Sequence, residues 1–229
     1  LLTVPITVCQ AVEAPYQGYV YNVWREAVPS PNGYLPERSI TGEDLGVGSF
    51  KEPQDFFVDR QKNIYILDSG NNRIVVLDEH FKKKAIIDQF YGENGPETIV
   101  LPTGIFVTPE GLIYLADGKK GRVVKVNQEG RILQEYRRPE SELIPAHIEY
   151  VPTKVLVDSS GTIYTIIKDL YYGAVMYNQS GEFLGYYGTN RVVTTLQLLQ
   201  DFIWKKILTK TQRDKMARYV PVAFANFTI

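Results

Sequence analysis

The chain has 229 residues, with 25 basic and 26 acidic side chains and a formal net charge of −1. That balance removes any global electrostatic pull toward nucleic acid or acidic substrates. No stretch reaches the ~18 apolar residues that a transmembrane helix requires. A single cysteine, Cys9, excludes an internal disulfide framework.

In chain order, Leu1 to Val8 is apolar, and Val12 and Ala14 suit the −3 and −1 positions of a secretory cleavage site. Residues 1–14 are expected to be a truncated signal peptide without its charged start. The alternative is an ordinary apolar N-terminal strand. Cys9 is a poor lipid-anchor position, because Thr7 and Val8 precede it. Residues 15–229 are expected to form one repeat domain, starting with an apolar run at Tyr19, Val20 and Tyr21. The stretch 34–50 is expected to be the outer strand of a blade that contains that run.

From residue 50 onward the chain repeats itself. The units starting at Phe50, Val100 and Tyr150 share prolines at Pro53, Pro102 and Pro152, spaced 49 and 50 residues apart, and tyrosines at Tyr65, Tyr114 and Tyr164 with the same spacing. Each unit holds four short β-branched or aromatic runs bounded by Gly, Asn, Asp or Pro, which is strand chemistry. In the first unit these are residues 56–58, 64–67, 74–77 and 85–87. The runs do not alternate apolar with polar, as expected of strands buried on both faces. The turns Glu110-Gly111 and Ser160-Gly161 are expected to match Lys62-Asn63, where a tight hairpin needs positive φ. A repeat of this length made of four antiparallel strands predicts an all-β fold, a β-propeller with one four-stranded blade per unit.

These residues resemble the NHL-repeat β-propellers. The first unit carries the pattern in Pro53, Val58, Asp59, Asn63, Ile64, Tyr65, Asp68, Asn71, Asn72, Arg73 and Ile74. The second keeps Pro102, Gly104, Gly111, Ile113, Tyr114, Asp117, Arg122 and Val123. The third keeps Pro152, Asp158, Gly161, Ile163 and Tyr164, but Ile167 or Lys168 replaces the loop Asp and Gly173 replaces the Arg. The resemblance covers about residues 36–188. It implies commonly six blades, of which three are complete here, so a fragment of a larger ring is expected, with a self-closing dimer as the other reading. The opening residues 21–35 and the insert below also resemble exported NHL-repeat proteins of Gram-positive gut bacteria, which implies an extracytoplasmic or secreted setting.

The repeat is interrupted once. From Pro152 to Pro221 is 69 residues, and the excess follows Gly188. Val192, Val193, Leu196, Leu199, Phe202, Ile203, Ile207 and Leu208 make one apolar helical stripe. Thr209 to Gln212 has the capping-box form that starts a second helix. A helical insert is expected over 191–218, with six basic and two acidic residues over 201–218. In a propeller, inter-blade connections and second-to-third-strand loops emerge on the same face. The insert and the divergent loop at Lys168, Asp169, Tyr171 and Tyr172 are therefore expected to share a surface with Trp204. This surface suits a protein partner, a small ligand or, through the basic helix, an anionic membrane surface. The bland alternative is a helical hairpin that only covers the propeller.

A catalytic site is weakly indicated. The inner-strand positions facing the channel are Asp55, Gly104, Lys154 and Ala223, with one carboxylate among them. His147 lies in an inter-blade connection and His80 in a turn on the opposite face. Asp55 and His147 are the candidates for a lactonase- or lyase-like reading. Neither calcium nor zinc ligand spacing occurs. No cofactor and no nucleic-acid partner are expected. The recurring pairs Asp68 with Arg73 and Asp117 with Arg122 are expected to pin their own loop and the next blade.

Overall fold

β-Branched and aromatic runs separated by turn residues become strands along almost the whole described chain. The computed structural model describes residues 17–31, 33–34 and 36–188. The expected signal peptide at 1–14, the insert at 191–218 with Trp204, and the repeat restart at Pro221 lie outside the described residues. A hairpin comes first, β1 (Tyr19–Tyr21) with β2 (Ala27–Pro29), and Asn22 Oδ1 closes its turn by accepting the Trp24 and Glu26 amides.

The first unit builds β3 (Pro53–Val58), β4 (Ile64–Asp68), β5 (Arg73–Leu77) and β6 (Lys83–Ile87), paired antiparallel in that order. The connection to the next unit carries a small hairpin, β7 (Phe90–Gly92) with β8 (Gly95–Glu97). The second unit builds β9 (Gly104–Val107), β10 (Ile113–Asp117), β11 (Arg122–Val126) and β12 (Ile132–Arg137). The third builds β13 (Pro152–Val157), β14 (Ile163–Ile167), β15 (Ala174–Tyr177) and β16 (Phe183–Tyr187). Each is a four-stranded antiparallel meander, as expected of propeller blades. The described sheets do not close into a ring.

The sheets stack face to face because both faces of each strand are apolar. Tyr65, Leu67, Ile74 and Val76 of the first sheet meet Ile105, Val107, Ile113 and Leu115 of the second, with Phe90 and Ile99 of the connection wedged between them. Tyr114, Val123 and Tyr136 of the second sheet meet Val155, Ile163, Val175 and Tyr177 of the third. Each such side chain contributes roughly 1.5–3 kcal/mol when fully buried. A single blade cannot supply this burial alone. The innermost strands β3, β9 and β13 lie side by side. Second-to-third-strand loops and inter-blade connections therefore share one end, called upper here, and the remaining turns share the lower end.

Three expectations change in detail. No strand forms over 34–50; Asp44 Oδ2 accepts the Thr41 amide and hydroxyl, and the Val47 amide bonds Gly42 O. These turn bonds take up backbone groups that a strand would have offered to a neighbour. The segment instead lays Leu45, Val47 and Phe50 on Val75 and Leu77 of the first sheet. The lower turns also align one residue earlier than expected. Lys62 (φ 61°), not Asn63, takes the left-handed place of Gly111 and Gly161 (both φ 82°).

The third correction concerns the Asp–Arg pairs. Arg73 donates to Asp68 at 2.6 Å and to Val47 O, so it ties down the connection entering its own blade. The next blade is held by other groups: Ser69 Oγ donates to Pro102 O, and Asn72 Oδ1 accepts the Leu101 amide.

Candidate functional site

The repeat that shapes the upper loops is broken in the third blade, and that break makes the site. In the first two blades the loop after the second strand is locked from within by charge. Asp117 and Arg122 are both buried; Arg122 Nε reaches Asp117 Oδ2 at 3.1 Å, and its other nitrogens reach Glu135, Glu97 and Thr98 O. Burial pushes the Asp117 carboxyl up despite the Arg122 guanidinium, and the Val100 amide beside its Oδ1 falls outside hydrogen-bonding geometry. In the third blade Ile167 stands in the place of Asp117 and is buried, and Leu170 turns inward to join the same apolar core. The loop is plugged by hydrocarbon where its counterparts are clamped by charge.

This apolar plug leaves the polar part of the loop facing solvent. Lys168 and Asp169 are exposed, and the Lys168 amide bonds Val151 O while Asp169 holds a φ of 60°. Tyr171 is half-buried. Tyr172 is 51% exposed, with its ring centroid 5.8 Å from that of Tyr186. Gly173 (φ 121°) ends the loop where a Cβ would press on Tyr187 O.

Tyr186 joins this loop to the connection that carries His147. Its hydroxyl donates to Leu143 O at 2.8 Å. Arg138 knits the same connection by donating to Ile148 O at 2.7 Å, Ile144 O at 3.1 Å and Pro145 O at 3.0 Å. The upper end of the third blade thus unites Lys168, Asp169, Tyr172 and the exposed His147 on two braced segments. Tyr186 and Arg138 were not singled out from the sequence. A β16 tyrosine beyond the repeat's core positions was the only signal for the first, and nothing marked the second.

Asp55 belongs elsewhere. Pro53 and Pro152 lack an N–H, and each is followed by a β-bulge, between Pro53 and Asp55 and between Pro152 and Lys154. The bulges aim both side chains along the inner strands. Asp55 Oδ1 meets Lys154 Nζ at 2.8 Å, and its Oδ2 accepts the Ile105 amide at 3.0 Å. The pair bridges the first and third blades across Gly104, where a Cβ would lie 2.8 Å from Lys154 Cα and from Thr153 O. Asp55 is therefore committed to Lys154 and a backbone amide, with no bond to His147. Sequence alignment placed these three residues at equivalent positions but did not show that two of them pair.

Two carboxylates give the fold a pH dependence with a defined sign. The Lys120 ammonium beside Glu97, with Thr98 and Arg122, holds that carboxyl at about 2. Burial pushes Asp158 up, but bonds from Ser160, the Thr162 amide and Tyr164 outweigh it and bring the group to about 2. Their stabilisation is present above the ordinary carboxylate range near pH ~4 and is lost as pH falls through about 2. Asp117 runs the other way: its raised pKa favours folding at low pH, and that contribution fades as pH rises. We expect Tm to drop on acidification from pH ~5 to pH ~2, and Glu97→Gln to flatten that drop; differential scanning calorimetry checks both.

Among the described residues no group of three or more His, Cys, Asp or Glu is placed to hold a metal ion. Nor is any described helix long and apolar enough to cross a membrane.

No family model matches the chain, and no curated protein does. Solved structures similar to it include hydrazine synthase of Kuenenia stuttgartiensis, at 14% identity and TM-score 0.45 over 69% of this chain and 40% of that one. A streptogramin B lyase matches at 15% identity and TM-score 0.44, over 76% of this chain and 49% of that one. Virginiamycin B lyase of Staphylococcus aureus matches at 14% identity and TM-score 0.43, over 76% and 50%. The chain spans half or less of the length of each.

Proposed function

We propose that the chain is an exported, NHL-type propeller segment that works by binding, without chemistry of its own, and that a protein partner docks on the upper end of the third blade. The observation that carries this reading is the altered loop. Where the repeat calls for an Asp–Arg clamp, this blade has an apolar plug that leaves Lys168, Asp169 and Tyr172 exposed beside the braced connection of residues 138–151. An exposed aromatic next to one cation and one anion is the composition of a binding hot spot. Asp55, the carboxylate of the enzymatic alternative, is already bonded to Lys154 and Ile105 N, and His147 has no carboxylate bonded to it to orient or activate it.

Site-specific photo-crosslinking tests the reading. A benzophenone amino acid in place of Tyr172, and in a second variant in place of His80 on the lower end, is irradiated in conditioned growth medium. We expect one discrete adduct from position 172, lost on Lys168→Glu, and none from position 80. Equal adducts from both positions, or stoichiometric zinc or calcium retained by the full chain through dialysis, would overturn it.

A further inference from the structure

The inner strands carry a second feature that the upper-end surface does not use. β3, β9 and β13 line a cleft of about 1140 Å³ whose walls include Asp55, Phe56, Phe57, Phe106, Tyr114 and Lys154. Clefts that take small molecules are mostly apolar, with a few convergent polar groups that fix orientation. Here the polar groups are the two ends of one ion pair. Asp55 and Lys154 side chains are each about one-fifth exposed, so the couple is reachable from the cleft without being fully hydrated. Gly104 between them has no side chain to cover the pair. Aromatic surface stands close by: Phe56 is 67% exposed and Val58 49%, while the Phe57 and Phe106 rings meet edge to face at 4.8 Å.

We infer that this cleft binds an α-amino acid zwitterion with an aromatic or large aliphatic side chain, its carboxylate on Lys154, its ammonium on Asp55 and its side chain against Phe56 and Val58. The charge arrangement selects the ligand. A carboxylate and an ammonium held one carbon apart match an adjacent ammonium and carboxylate, and each charge finds its opposite without leaving Asp55 or Lys154 unpaired. A ligand with only one charge would break the pair and leave one member uncompensated, which disfavours it. Asp55 keeps its bond from the Ile105 amide throughout, so the anchor is pre-oriented.

Titration calorimetry of the full chain with L-phenylalanine tests this, with 3-phenylpropionate and phenethylamine as single-charge controls. Saturable binding below about 10 mM is expected for phenylalanine and not for either control. Lys154→Met and Asp55→Asn are each expected to weaken it at least about tenfold. Val58→Asp keeps the ion pair and removes apolar wall, so it should weaken phenylalanine more than alanine even if the other variants fold poorly. Absence of phenylalanine binding, equal binding of a single-charge control, or unchanged affinity in folded variants at positions 55 and 154 would overturn the inference. Tyr172→Ser should leave this binding unchanged, so failure here and failure of the upper-end reading are separate results.

Discussion

Replacing Arg122 with methionine is expected to cost the fold about 3–5 kcal/mol, the range for removing one partner of a buried ion pair. Arg122 is 2% exposed and satisfies three carboxylates and a backbone carbonyl from four different segments. Without it, Asp117 stays buried with no counter-charge, while Glu97 keeps Lys120 and Glu135 keeps Arg137. The loss therefore concentrates on Asp117, and the double variant Arg122→Met with Asp117→Leu should recover most of it. Arg73→Met should cost less, because the Arg73 side chain is partly exposed and solvent can reach the group left behind. Guanidinium unfolding at constant m-value measures all three. A double variant no more stable than Arg122→Met would show that the clamp acts through packing and not through charge.

Gly104→Ala is the second large effect. A single methyl at that position would sit 2.8 Å from the Lys154 backbone and from Thr153 O, distances at which β13 must move away. Overpacking of this kind costs typically about 1–3 kcal/mol, and more when backbone is struck. The displaced strand would also take Lys154 away from Asp55, so the variant should lose inter-blade coupling as well as stability. A double-mutant cycle over Asp55→Asn and Lys154→Met reads this directly. The coupling energy should be measurable in the parent and close to zero with Gly104→Ala. An unchanged coupling would mean that β9 and β13 approach less closely than the structure shows.

Much of this architecture was legible in the residues. Prolines and tyrosines recurring every 49 or 50 positions located each sheet, and the apolar runs fell on their strands, because strand chemistry and burial on both faces leave a local signature. What escaped was long-range or conformational. Residues 34–50 hold apolar positions that suggest a strand, yet Asp44 and the glycines at 42, 46 and 48 turn the backbone on itself before it can pair. Lys62 adopts a left-handed φ because the hairpin geometry of the repeat outweighs its own preference. The Asp55–Lys154 bond joins residues two repeats apart and depends on two bulges, neither of which composition reveals. For the site, the departure from the Asp–Arg pattern correctly marked the loop at 168–172. The braces from Tyr186 and Arg138 became visible only once the connection of residues 138–151 was seen to fold over it.

The claim that a partner docks on the upper end of the third blade is tested most directly by hydrogen–deuterium exchange of the full chain, alone and with the partner recovered by crosslinking. Protection confined to residues 141–148 and 168–172, with the lower turns at 59–62 and 78–82 unaffected, is the predicted result. Protection on those lower turns, with residues 168–172 exchanging as fast as in the free chain, would contradict it.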